Sequence, residues 1–201
     1  MPISSARRWF SHDEEPGFLP HTPVFVAQSA YLHAVEHAAT DLEREVGGIL
    51  VGNWSIDAES QQQFIVVETA LPARFTRQGS VYLTFTQDSL VDLHADMDEH
   101  YPGKQIVGWY HTHPGMGVFL SPHDTWLHRH FFPEPWQVAL VIEPHSGTGG
   151  FFIRQADGHL DPGRYFGFYE LDGNSGPSIV RWNNLQEESE AANKKGVEFN
   201  E

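Results

Sequence analysis

Two histidines one residue apart, His111 and His113, close an apolar run over 106–110. On a strand, the side-chain period of two puts both imidazoles on the same face. Pro114, Gly115 and Gly117 end that strand, and Ser121-Pro122 reads as a helix N-cap followed by proline at the first helical position. Asp124 then falls in the first turn of the helix. A strand end offering two imidazoles and a helix start offering one carboxylate make a three-ligand site with a fourth position left for water, the layout of a catalytic rather than a structural zinc. Glu45 is a suitable acid upstream. Taken singly, each piece has a plainer reading. Thirteen histidines make a chance H-x-H ordinary, and Ser121 with Asp124 reads equally well as a helix cap with a first-turn acid favoured by the helix dipole. The joint order of H-x-H-P, a glycine-containing loop and S-x-x-D favours the metal site.

The elements that must position these groups follow from periodicity and punctuation. A short β-type run covers 22–27, and Ser29 is a fair N-cap for a helix over 30–44 with apolar positions at Leu32, Val35, Ala38, Ala39 and Leu42. Glu45 follows at the junction, then a buried strand over 47–52 whose glycines allow close backbone approach. The sheet continues over 63–70. Residues 71–88 alternate at Val81, Leu83 and Phe85 and read as a sheet-edge strand with a turn at Gln78-Gly79. Thr86 caps a helix near 88–100, on which His94 and His100 are surface residues. After the metal strand, a helix from Ser121 stops before Pro133. His128 and His130 repeat the H-x-H spelling on it, but two residues apart on a helix point to different sides, so that pair is a poor metal site. Residues 136–143 are near-continuously apolar, as expected of a central strand buried on both faces, and a turn at 147–150 makes a hairpin with F-F-I-R. Thr112 faces away from the ligands as a packing residue, and His123 is a weaker candidate ligand.

The stretch H-T-H-P-G-M-G-V-F-L-S-P-H-D resembles the signature of the JAMM metalloproteases, the catalytically competent branch of the MPN-domain proteins, whose pattern is H-x-H, ten residues, then D. E-V-G-G-I-L-V-G-N-W from Glu45 resembles the family's second element, a glutamate opening an earlier strand. The resemblance covers most of the chain and looks most like a compact prokaryotic member, because 132–136 leaves little room for the second insertion of the larger eukaryotic ones. It implies an α/β three-layer sandwich with a mixed, curved sheet flanked by helices, the MPN fold, similar to cytidine deaminases. It also implies one zinc per chain held by His111, His113 and Asp124. Glu45 would take a proton from the attacking water and pass it to the leaving amine, and Ser121 would donate to the developing oxyanion. Glu45 also reads as a solvated acid ending a charged helix, although a negative charge is disfavoured at a helix C-terminus. The implied reaction is hydrolysis of the isopeptide or peptide bond after the C-terminal glycine of a ubiquitin-like protein. Its tail would add as a strand along Val81, Leu83 and Phe85, and conjugation-pathway enzymes are expected partners. Two alternatives stay open: a non-catalytic MPN scaffold, and a JAMM hydrolase of a small amide or short peptide.

Composition bounds these readings. At 22.7 kDa and 40% hydrophobic residues the chain can bury a substantial core. We expect an N-terminal arm over 1–20, a catalytic domain over 21–182 and a polar acidic tail over 183–201, a short helix at most. No run reaches membrane-span length, and the first ten residues lack an apolar signal core, which reads as a soluble, cytoplasmic protein. The absence of cysteine excludes disulfides, thiolate zinc sites and cysteine-protease chemistry. A net charge of −15 argues against nucleic acid and for a neutral or basic protein partner.

Overall fold

The computed structural model describes residues 1–15, 18–73, 76–79, 82–85, 87–171 and 176–188, with the backbone alone over 76–90. Eleven strands and three α-helices follow in the order β1 (Ala6–Ser11), β2 (Val24–Val26), α1 (Gln28–Ala38), β3 (Gly47–Ile56), β4 (Gln63–Pro72), β5 (Thr76–Gly79), β6 (Tyr82–Phe85), α2 (Gln87–His100), β7 (Gln105–Thr112), α3 (Pro122–Phe131), β8 (Val138–Glu143), β9 (Thr148–Phe152), β10 (Phe168–Leu171) and β11 (Leu185–Glu187). Nine strands make one mixed sheet in the order β11-β1-β10-β2-β4-β3-β7-β8-β9. The sheet curls: Phe151 of β9 and Phe166, just ahead of β10, exchange both backbone hydrogen bonds.

The central strands bury both faces, so their sequences run apolar without alternation. On one face Leu50, Tyr110 and Leu140 join Ala30, Tyr31 and Ala34 of α1. On the other, Ile49, Trp109 and Val141 join Leu93 and Met97 of α2 and Leu127 of α3. This is the three-layer α/β sandwich that the family resemblance implies.

Several local expectations are corrected. Helix α1 ends at Ala38 rather than at 44, because Asp41 Oδ1 accepts the backbone N–H groups of Glu43 and Arg44 and offers the chain a turn in place of another helical step. Glu45 therefore stands on an extended lead-in to β3, and the helix-terminus argument about its charge does not apply. The N-cap of α1 is Ala27, while the Ser29 hydroxyl donates to the Glu68 carbonyl. Gln78 and Gly79 are paired with Leu83 and Tyr82, so they form no turn, and β5–β6 is a separate two-stranded sheet, not an edge of the main one. Val81 lies outside the described residues. Within the expected N-terminal arm, Ala6–Ser11 is a strand seated between β10 and β11. At the start of the expected tail, Leu185–Glu187 is strand β11 rather than helix. Residues 189–201 of that expectation lie outside the described residues.

Candidate functional site

The site sits at the ends of β3 and β7, where the two strands approach closely. Gly47 pairs with His111, and a Cβ on Gly47 would stand 2.4 Å from the Tyr110 carbonyl oxygen. Any larger residue would push β3 off β7. One residue earlier, Val46 N–H donates to the Thr112 hydroxyl at 2.9 Å, and Thr112 N–H donates back to the Val46 carbonyl at 2.9 Å. That reciprocal pair holds the backbone next to Glu45 against the strand that carries the histidines. Thr112 is thus more than packing; its alternation away from the ligands is what turns its hydroxyl toward β3.

The structure brings His111, His113 and Asp124 together. The two Nε2 atoms lie 3.0 Å apart, and each is 3.4 Å from Asp124 Oδ2. All three residues are at most 1% exposed. Glu45, equally buried, puts Oε1 3.8 Å from His113 Nε2. Stacking orients the two imidazoles. Trp109 lies flat against His111, centroids 4.5 Å apart at 7°, and the Phe119 ring centroid is 4.7 Å from that of His113.

Helix capping places the carboxylate. Ser121 Oγ accepts from Asp124 N–H at 3.2 Å, and Asp124 Oδ2 accepts from Ser121 N–H at 2.7 Å, a reciprocal capping box with Pro122 at the first helical position. The cap and the site are therefore one arrangement. The same hydrogen bonds that start α3 aim Asp124 at the histidines, and the Ser121 hydroxyl also hydrogen-bonds the Asp124 carboxylate. His123 lies outside this cluster and stacks on Trp126. His94 and His100 are on the surface, and the 128/130 pair splits as helical geometry requires, His128 buried and His130 exposed.

The electrostatics suit a cation. Burial lowers the His111 pKa against the opposing pull of Asp124, so the ring is neutral. Burial would raise the Asp124 carboxyl, but hydrogen bonds from His111 and His113 outweigh it and hold the group well below the usual carboxylate range. A neutral imidazole and an ionised carboxylate are the states that metal ligation needs. Tetrahedral ligands at ~2.0–2.1 Å stand about 3.3 Å apart, and the three donor atoms here match that spacing.

Sequence reasoning missed Glu143, buried at the end of β8. Its Oε1 accepts from Gly115 N–H and His145 N–H, both at 2.9 Å, and Oε2 from Ser146 N–H at 2.7 Å. It thereby ties the loop after His113 to the β8–β9 turn. An acid ending an apolar strand before a turn carries no spacing signal in sequence.

Fold and site together define an α/β protein with a buried His–His–Asp candidate metal site on a mixed sheet. The family model described as "JAB1/Mov34/MPN/PAD-1 ubiquitin protease" matches residues 21–132, and the chain belongs to that family. Among curated relatives, it is 34% identical over 109 residues to "NAD(+) hydrolase TcpA" of a Theionarchaea archaeon, covering 54% of this chain and 30% of the relative. To "COP9 signalosome complex subunit 5" of Caenorhabditis elegans it is 33% identical over 153 residues, covering 72% of this chain and 37% of that protein. To "Ubiquitin carboxyl-terminal hydrolase RPN11" of Saccharomyces cerevisiae it is 24% identical over 143 residues, covering 70% and 44%. The chain thus spans well under half the length of these relatives. Among solved structures, the protein DSY2949 from Desulfitobacterium hafniense superposes with a TM-score of 0.51 at 22% identity, covering 70% of this chain and 91% of that one, a likeness of fold.

Proposed function

We propose that the chain is a zinc-dependent peptidase that cleaves after the C-terminal glycine of a ubiquitin-like protein, by deconjugation or by precursor processing. The observation that carries this reading is the convergence of His111, His113 and Asp124 on one point with the Glu45 carboxylate beside it. Zinc held by those three ligands would supply Lewis-acid polarisation of the scissile carbonyl and acidify a water to near neutral pKa.

The chain's own residues do the rest. Glu45 is fixed by the Val46–Thr112 pair and lies within reach of the ligand cluster, where its carboxylate takes the proton of the attacking water and delivers it to the leaving amine. Ser121, held beside the ligand cluster by its bonds with Asp124, turns its hydroxyl proton from the Asp124 carboxylate to the oxyanion that develops on the carbonyl. The β5–β6 ribbon offers strand-adding backbone to an extended glycine-ended tail. Relatives whose printed names are a ubiquitin carboxyl-terminal hydrolase and a signalosome subunit support a protein substrate over a small amide. The presence of every ligand and of the general base argues against a scaffold without catalysis. Among the described residues no helix is long and apolar enough to cross a membrane; we place the activity in the cytoplasm, with conjugation enzymes as partners.

The test is metal analysis of the purified protein together with cleavage of a ubiquitin-like protein fused through its C-terminal glycine, with and without chelator. The expected result is one zinc per chain and cleavage that chelation abolishes and zinc restores. A chain that takes up no zinc would overturn the reading in favour of a scaffold.

A further inference from the structure

A polar cavity lies behind the candidate metal site, between α3 and the 154–160 segment. It measures about 340 Å³ and is lined by Thr125, His128, Arg129, Arg154, His159 and Leu160, among others. In a chain of net charge −15, this wall gathers two guanidiniums and two imidazoles. Among the described residues neither arginine forms an ion pair. Arg129 is exposed on α3. Arg154 is half-buried and pinned by carbonyl oxygens alone, Nη2 donating to Phe132 O at 2.8 Å and Nη1 to Glu134 O at 2.8 Å. Burial, and then the charge of Arg129, lower the hold of Arg154 on its proton, with Glu134 opposing, so the two cations are close enough to repel one another.

The decisive group is His128. It is 1% exposed, and its Nδ1 receives the indole N–H of Trp109 at 3.0 Å. An indole nitrogen can only donate, so Nδ1 is the acceptor and the ring proton sits on Nε2. That Nε2–H is buried and meets no acceptor among the described residues. A buried donor left unmade is destabilising, and a ligand that accepts from it removes that cost. Nor can the imidazole become a third cation there, because burial and then Arg154 depress its pKa to about 3.

We propose that this cavity is an oxyanion site that takes the phosphoryl group of a small phosphorylated molecule, with Arg129 and Arg154 as its charge partners and His128 Nε2–H as its buried donor. Arginine suits this ligand because its planar fork meets phosphate oxygens two at a time. The cavity exceeds a bare phosphate and lies in the range of ligand pockets, leaving room for a sugar-sized remainder beside Leu160. An anion bound here reaches the metal strand through two contacts, His128 to the Trp109 indole N–H and the Trp109 ring to His111. The site does not depend on the peptidase reading.

The experiment is an NMR titration of the ¹⁵N-labelled full chain with inorganic phosphate and with ribose 5-phosphate, against sodium chloride at matched ionic strength. The expected result is saturable movement of the Trp109 indole signal with both phosphates and not with chloride, and binding at least fivefold weaker in Arg129→Gln. Arg129 is exposed and unpaired among the described residues, so the substitution leaves the fold intact. Tighter binding of ribose 5-phosphate would mean that the remainder of the cavity is used; equal affinities would mean that the phosphoryl group alone is read. Movement no greater than chloride produces, or unchanged phosphate affinity in Arg129→Gln, would overturn the proposal, the latter by placing the anion elsewhere, such as at the metal.

Discussion

At the residue scale, Glu45 and Asp124 are both buried carboxylates a few ångströms from the same histidine nitrogen, and their environments assign them different work. Asp124 receives hydrogen bonds from both histidines and the Ser121 side chain, which keep it ionised, and one from Ser121 N–H, which helps to fix it. Glu45 touches the cluster from the other strand. Glu45→Gln is therefore expected to retain metal while turnover falls by about 10²–10⁴-fold, the usual worth of a positioned acid–base group. Asp124→Ala is expected to lose metal and activity together, since it removes a ligand and opens the capping box. Metal analysis alongside a cleavage assay separates the two; a Glu45→Gln protein at full turnover would remove that residue from the mechanism. Asp124 was legible from spacing, because H-x-H and S-x-x-D report backbone periods directly, whereas the role of Glu45 was reached only through the family resemblance. Thr112, Trp109 and Glu143 were not legible, since their roles depend on which strand or loop lies across from them.

At the scale of elements, the candidate metal site is a junction of β3, β7, the loop after His113 and the start of α3, and Glu143 stitches that loop to β8. Burial would raise its carboxyl, but hydrogen bonds from the Ser146 hydroxyl and from the N–H groups of Gly115, His145 and Ser146 outweigh it, bringing the pKa to about 2 from its ordinary 4.5. The unfolded chain thus binds the proton more tightly than the folded one. The stabilisation is complete above about pH 4.5 and is lost as the pH falls toward 2. Glu143→Gln is expected to cost about 1–3 kcal/mol at neutral pH, the scale of hydrogen bonds to a charged acceptor, and to flatten the acid limb of stability between pH 4.5 and 2. Urea denaturation across that range checks both, and an unchanged acid limb would assign the loop's anchoring to other contacts.

At the scale of the whole molecule, residues 6–11 lie inside the sheet. Phe10 is 5% exposed, Arg8 and Glu14 form a buried pair, and Glu14 Oε2 also accepts from Ser11 N–H. Deleting residues 1–11 leaves β10 and β11 without the strand between them. It is expected to cost at least the ~3–5 kcal/mol of removing one buried phenylalanine, read as a lower urea midpoint; a truncated chain of full stability would make the segment a dispensable arm. This strand was invisible in sequence because R-R-W-F-S-H mixes charge and aromatics without alternation, and its partners come from residues more than 150 positions away. What the sequence by itself determined is local: the strand that pairs two imidazoles, the cap that starts α3 with an acid in its first turn, the apolar runs of central strands, and through their joint order the family. What only the tertiary structure decided is which of those pieces meet. The pairing of β3 with β7, the setting of Glu45 by Thr112, the loop held by Glu143 and the cationic cavity behind His128 all depend on contacts between distant segments, and short-range periodicity carries no record of them.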